Sequence, residues 1–174
     1  MDSIDEIKYR PIGTIHSPFQ QPEGTPIQPP GATGIRGTVD VFPQYTDGLR
    51  DIDGFSHIIL IYHFHLSQTS TLLAKPFLDD KAHGIFAIRG VSRPNPIGIS
   101  VVHLIGVEDN ILHIQDVDII DGTPLLDIKP YIPEFDIRKV TKIGWYENKQ
   151  GSVKTLKDDG RFIKNPQNSK EKEK

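Results

Sequence analysis

The chain has 174 residues, 36% hydrophobic and 25% charged, which is enough for one domain with a real core. It contains no cysteine, which excludes disulfides, cysteine nucleophiles, Cys-ligated zinc and iron–sulfur clusters. The net charge of −3 hides an asymmetry: residues 1–137 carry 9 Lys and Arg against 18 Asp and Glu, whereas residues 138–174 carry 11 against 5.

The N-terminus is acidic, unlike a secretory or transit peptide, and no apolar run approaches the roughly 20 residues that span a bilayer. A cytoplasmic location is the expectation. Pro and Gly are abundant and β-branched residues frequent, so the chain reads as mostly β. Predicted strands are Tyr9–Ile15, Ile35–Phe42, His57–His65, Gly84–Arg89, Ile97–Val107, Ile111–Ile120 and Leu125–Lys129. Glu108-Asp109-Asn110 reads as a hairpin turn and Asp121-Gly122 as the next turn. On Ile111–Ile120, alternation places Leu112, Ile114, Asp116, Asp118 and Ile120 on one face. Helical signal is confined to single turns at Pro43–Leu49 and Ser70–Leu78. Short strands at close spacing predict a small antiparallel β-barrel over residues 1–137. A basic segment, 138–164, is expected to pack on or near the barrel, and 165–174 to be a disordered tail. Trp145, Tyr146 and Phe162 lie among its basic residues, a composition that suits single-stranded nucleic acid and core packing alike.

Residues 89–98, Arg-Gly-Val-Ser-Arg-Pro-Asn-Pro-Ile-Gly, are the stiffest part of the chain. Each proline fixes φ and removes a donor, and Arg93 and Asn95 before them are pushed to extended geometry. A rigid charged loop between strands is a way to hold side chains in fixed places. Glycine-rich dinucleotide and P-loop motifs are absent, as is His-Glu-x-x-His. His63 and His65 project from one strand face and form a possible metal pair that lacks a defined third ligand; a metal-dependent hydrolase is one competing reading. Tyr62 and Phe64 face the other way with Ile58 and Leu60 and read as core. Asp116, Asp118 and Asp121 precede a turn, and Asp127 and Lys129 share a strand face.

In order, Ile12–Phe19, Thr25–Gln28, Gly54–His65, Gly84–Ser100 and Asp121–Tyr131 resemble the successive motifs of one family. The chain is similar, from about Tyr9 to Tyr131, to the TsaA-like (TrmO) family of S-adenosylmethionine-dependent tRNA methyltransferases. The resemblance implies a small β-barrel, usually a homodimer. It also implies methyl transfer to the exocyclic amine of threonylcarbamoyladenosine, next to the tRNA anticodon. By motif, the cofactor S-adenosyl-L-methionine is expected at Pro26, Ile27, Gln28, His65, Leu66, Arg89, Ile99, Asp118, Ile119, Ile120 and Asp121. Several of these contacts are expected to be main-chain. Candidate proton acceptors are Asp121, Asp127 and Tyr131; candidate substrate contacts are Arg93, Asn95 and Lys129; no metal is expected. The chain departs from the family pattern in two places: Gly90 and Val91 replace the common Ser-Pro or Ser-Thr, and Leu66 stands where glutamine is frequent. The alternative function is a non-catalytic module that binds S-adenosylmethionine or RNA.

Overall fold

Inward-pointing β-branched residues draw the chain into a six-stranded closed barrel. The structure is a computed structural model and describes residues 6–149 and 155–162. The strands are β1 (Gly13–His16), β2 (Arg36–Val41), β3 (His57–His63), β4 (Leu73–Ala74), β5 (His83–Gly84), β6 (Ile97–Glu108), β7 (Ile111–Gln115) and β8 (Thr123–Pro130). Barrel neighbours run in the order β1-β2-β7-β6-β3-β8, every barrel pairing is antiparallel, and β4 pairs with β5 in a separate ribbon. A single α-helical turn, α1 (Pro133–Asp136), follows β8.

Strand β3 shows why the barrel closes. Ile58, Leu60 and Tyr62 point inward and are buried, while the alternate positions face out. They meet Val102 and Leu104 of β6, Leu112 and Ile114 of β7 and Leu125 of β8 in one core cluster. Strand β6 is long enough to pair with β3 along its first half and β7 along its second, with a register shift between Leu104 and Gly106. The hairpin turn predicted at Glu108-Asp109-Asn110 is made by Asp109, at φ 53°, and Asn110, with Glu108 already paired to Ile111. The turn at Pro43–Leu49 is 3-10 helical.

Three expected elements take other forms. The strand predicted at Ile111–Ile120 stops at Gln115, because Asp116 adopts a left-handed φ of 68° and its carboxylate accepts the Gly34 amide at 2.7 Å. That one residue reverses the alternation. Val117 and Ile119 turn into the core, so the shared face predicted for Leu112, Ile114, Asp116, Asp118 and Ile120 does not persist. Gly84–Arg89 is a strand only at Gly84. Ile85–Ala87 form a 3-10 turn, whose spacing buries Ile85 and Ile88 and exposes Phe86. Ser70–Leu78 holds β4 rather than a helical turn; Pro76 biases Lys75 away from helix geometry. The first strand is also shorter than predicted, beginning at Gly13.

In the basic segment, Trp145 stacks on His83 with ring centroids 4.8 Å apart and donates its indole N–H to the Ala87 carbonyl at 2.8 Å. The tail expected at 165–174 lies outside the described residues.

Candidate functional site

One end of the barrel opens into a cleft of about 340 Å³. Five parts of the chain build it: the loop around Thr25–Gln28, the end of β3 with His65 and Leu66, the stiff loop before β6, the Asp118–Ile120 segment, and residues near 158–162. Ten of the eleven cofactor residues expected from sequence line it: Pro26, Ile27, Gln28, His65, Leu66, Arg89, Ile99, Asp118, Ile119 and Ile120. These come from positions far apart in sequence, brought together by barrel closure. Asp121 lies one step outside, where it fastens the end of β1: it accepts from the Ser17 amide at 3.2 Å and pairs with His16 Nδ1 at 3.1 Å. Desolvation pushes its pKa up, but the hydrogen bonds from Ser17, His16 and Gln20 outweigh this and hold it below the ordinary carboxylate value.

The floor of the cleft is a polar chain that the sequence reading did not identify. Ser100 donates its hydroxyl to Asp118 Oδ1 at 2.7 Å. Its oxygen is then free to accept the Tyr62 hydroxyl at 3.1 Å. Tyr62 and Ser100 are buried, and burial, with the negative charge of Asp118, pushes the Tyr62 pKa up so that the phenol stays protonated. Asp118 is half-buried and lines the cleft, and desolvation pushes its pKa up to about 6 against the pull of the Ser100 hydrogen bond and the Arg89 charge. The signal for Ser100 was present: it occupies an inward position of the β6 alternation, between Gly98 and Val102.

Glycine is required at Gly98. A Cβ there would overlap the Tyr62 ring and lie 2.8 Å from Phe64 Cζ, so the bare backbone lets Tyr62 lie flat over β6. Arg89 donates to the Gln28 side-chain oxygen at 3.1 Å, tying the stiff loop to the Thr25–Gln28 loop across the mouth. Thr123 donates its hydroxyl to the Ile120 carbonyl at 2.7 Å and lies 3.3 Å from His65 Nδ1. One hydroxyl has one proton, so His65 is the donor through Nδ1, leaving Nε2 as an acceptor. Burial and the neighbouring His63 hold the His65 pKa below its ordinary value, which keeps the imidazole neutral.

The remaining candidates are placed differently. Arg93 lines the cleft, but its guanidinium donates to the carbonyls of Ile85 at 3.0 Å and Ile88 at 2.9 Å, so it braces the loop. Asn95 is exposed, and its carbonyl accepts from the Ile97 amide at 2.8 Å. Asp127 lies opposite Ile61 on the outer barrel face and pairs with Lys129 at 2.8 Å. Tyr131 sits beside His57 at the far end of β3, six residues or about 20 Å from the cleft end. Neither Asp127, Lys129 nor Tyr131 lines the cleft of its own chain. Among the described residues, no group of three or more His, Asp or Glu side chains is arranged to hold a metal ion.

The donor set suits S-adenosylmethionine. A half-buried, desolvated carboxylate answers a sulfonium or ammonium charge, the apolar walls suit an adenine ring, and the volume fits a ligand of that size.

Comparisons with known proteins agree with this geometry. The family model described as tRNA-methyltransferase O N-terminal domain matches residues 14–137. A Pyrococcus abyssi protein named a probable S-adenosyl-L-methionine-binding protein is 58% identical over 157 residues, 90% of this chain and 85% of that protein. The tRNA (adenine(37)-N6)-methyltransferase of Escherichia coli is 34% identical over 140 residues, 75% of this chain and 60% of that protein. The crystal structure of TrmO from Pseudomonas aeruginosa aligns with TM-score 0.67 and 37% identity, covering 80% of this chain and 62% of that one. The chain thus spans about three fifths of the length of these last two proteins. The barrel, the motifs and these matches together place the chain in the TsaA-like (TrmO) family of S-adenosylmethionine-dependent tRNA methyltransferases.

Proposed function

We propose that this chain methylates the exocyclic amine of threonylcarbamoyladenosine beside the tRNA anticodon. The observation that carries the reading is the convergence of ten motif residues on one cleft with the half-buried carboxylate of Asp118 at its floor. When bound, S-adenosylmethionine supplies the methyl group: its carbon–sulfur bond breaks as a carbon–nitrogen bond forms, and the nitrogen loses its proton. The residues of the chain bind, orient and exclude water. Asp118, held by Ser100, offers negative charge to a cationic ligand; because positive charge at sulfur falls as the reaction proceeds, this favours binding more than rate. Arg89 and Gln28 fasten the two loops over the mouth. His65 Nε2 is the acceptor best suited to take the amine proton, since Nδ1 is committed to Thr123 and the ring is neutral. Asp121, Asp127 and Tyr131, expected in that role, do not line this cleft.

The outer face formed by β3 and β6 supports a homodimer. Ile59 pairs with Val101 and Ile61 with Ile99 in register, and Ile97 and Ile99 remain 40% and 52% exposed. A second copy covers this apolar face in the proposed assembly, and because Ile97 and Ile99 also line the cleft, the interface adjoins the site. A cytoplasmic location is the setting in which tRNA is available.

The test is transfer of label from methyl-labelled S-adenosylmethionine to tRNA with and without the threonylcarbamoyl group. Label on the modified tRNA alone is expected. Tight cofactor binding with no transfer to either tRNA would leave a binding module as the correct reading.

A further inference from the structure

The barrel leaves one side of the cleft open, and the matched family domain ends at residue 137. Residues 157–162, far beyond that limit, return to close it. The Asp158 amide donates to the Thr25 carbonyl at 2.8 Å, the Gly24 amide donates to the Asp158 carbonyl at 2.9 Å, and Lys157 forms a β-bridge with Pro26. Arg161 donates to the Pro76 carbonyl at 3.1 Å and stands over the Phe77 ring at 4.7 Å. Phe162 meets Phe77 edge-on at 5.2 Å, and its carbonyl accepts the Ser92 hydroxyl at 3.1 Å. Phe162 and the carboxylate-bearing Asp158 both line the cleft.

The barrel side is shaped to receive this strap. A Cβ on Gly90 would lie 3.3 Å from Ile88 Cδ1 and 3.4 Å from Phe162 Cε1, so the Phe162 ring packs close over the backbone at Gly90. Gly90, one of the positions where the chain departs from its family pattern, therefore lies directly beneath the strap. The strap therefore packs on the two loops, Thr25–Gln28 and Arg89–Arg93, that supply the motif residues of the mouth.

We infer that the strap is a working wall of the S-adenosylmethionine site, with Phe162 packing against the ligand's apolar surface and Asp158 accepting a hydrogen bond from one of its donor groups. This rests on the reading that the cleft holds S-adenosylmethionine. Burial pushes the Asp158 pKa up against the Gly160 hydrogen bond, and the charges of Asp159 and Glu23 add to it, so a cationic ligand relieves an uncomfortable carboxylate.

Calorimetric titration of S-adenosylmethionine into the full chain and into Phe162→Ala, Phe162→Leu, Asp158→Asn and Arg89→Ala tests the inference. Phe162→Ala is expected to weaken affinity about tenfold, with Phe162→Leu between it and the parent, and Asp158→Asn to weaken it about as much. Thermal melts are expected to stay near the parent's, because the barrel core does not include the strap. Saturating S-adenosylmethionine is expected to slow tryptic cleavage after Lys157 and Arg161. Parent-like affinity in folded Phe162→Ala and Asp158→Asn, or unslowed cleavage, with Arg89→Ala weakened, overturns the strap inference alone. Should the parent fail to bind, or Arg89→Ala bind unchanged, the reading of the cleft itself falls and the strap inference with it.

Discussion

Ser100 and Asp118 share a 2.7 Å hydrogen bond at the floor of the cleft, although they lie on segments that do not pair with each other. The bond holds a desolvated carboxylate in place without neutralising it. A binding site for a cation gains from that arrangement, and the fold loses stability by it.

Asp118→Asn is expected to raise stability at pH 8 and leave it unchanged at pH 4. The folded-state pKa of about 6 lies above the ordinary 3.8, so the fold disfavours the ionised form. The penalty is absent below the lower value, grows as pH rises between the two and is complete above the upper, where it reaches up to roughly 3 kcal/mol. Thermal melts at the two pH values read it. In the parent chain, affinity for S-adenosylmethionine should climb as pH rises through about 6, and Asp118→Asn should flatten that climb.

Arg89→Ala should weaken S-adenosylmethionine binding between about tenfold and a hundredfold, the range for losing a hydrogen bond to a charged donor. The side chain is exposed, so melting should not change. Parent-like affinity measured by titration would overturn the reading of this cleft as the S-adenosylmethionine site.

Gly98→Ala should destabilise the fold by about 1–3 kcal/mol, because the new methyl meets the Tyr62 ring in a packed interior. Moving the ring also pulls the phenol from Ser100, so urea denaturation and cofactor titration should both register the change.

His65→Asn should lower turnover about a hundredfold at saturating S-adenosylmethionine. The parent's turnover should fall as pH drops through a value below the ordinary histidine pKa, as protonation blocks Nε2. A pH profile on saturating tRNA and cofactor decides it, and an unchanged rate in the variant would disqualify His65 as acceptor.

Ile61→Lys places a charge in the middle of the apolar outer face, opposite Ile99 and Asp127. Light scattering should show a dimer for the parent and a monomer for the variant. A monomeric parent at micromolar concentration would refute the proposed assembly.

By itself the sequence determined the barrel class, the β6–β7 hairpin at Asp109-Asn110 and the set of motif segments, because alternation and turn chemistry are local properties. Ten of its eleven cofactor candidates do line one cleft. Only the tertiary structure decided how those segments meet. The left-handed turn at Asp116 reverses the face pattern within one residue, which periodicity cannot register. The Tyr62–Ser100–Asp118 chain depends on β3 and β6 lying in register and on a non-strand segment folding back beneath them. Asp127 and Tyr131 read as chemical because of their residue types, but strand register puts them on the outer face and at the far end of β3. For the strap at 157–162 the sequence offers only a basic segment with an aromatic, expected on or near the barrel, and nothing that says where. Its place is fixed by contacts with Thr25, Pro76 and Ser92, each more than 60 residues away in the chain, and such contacts exist only once the barrel has closed.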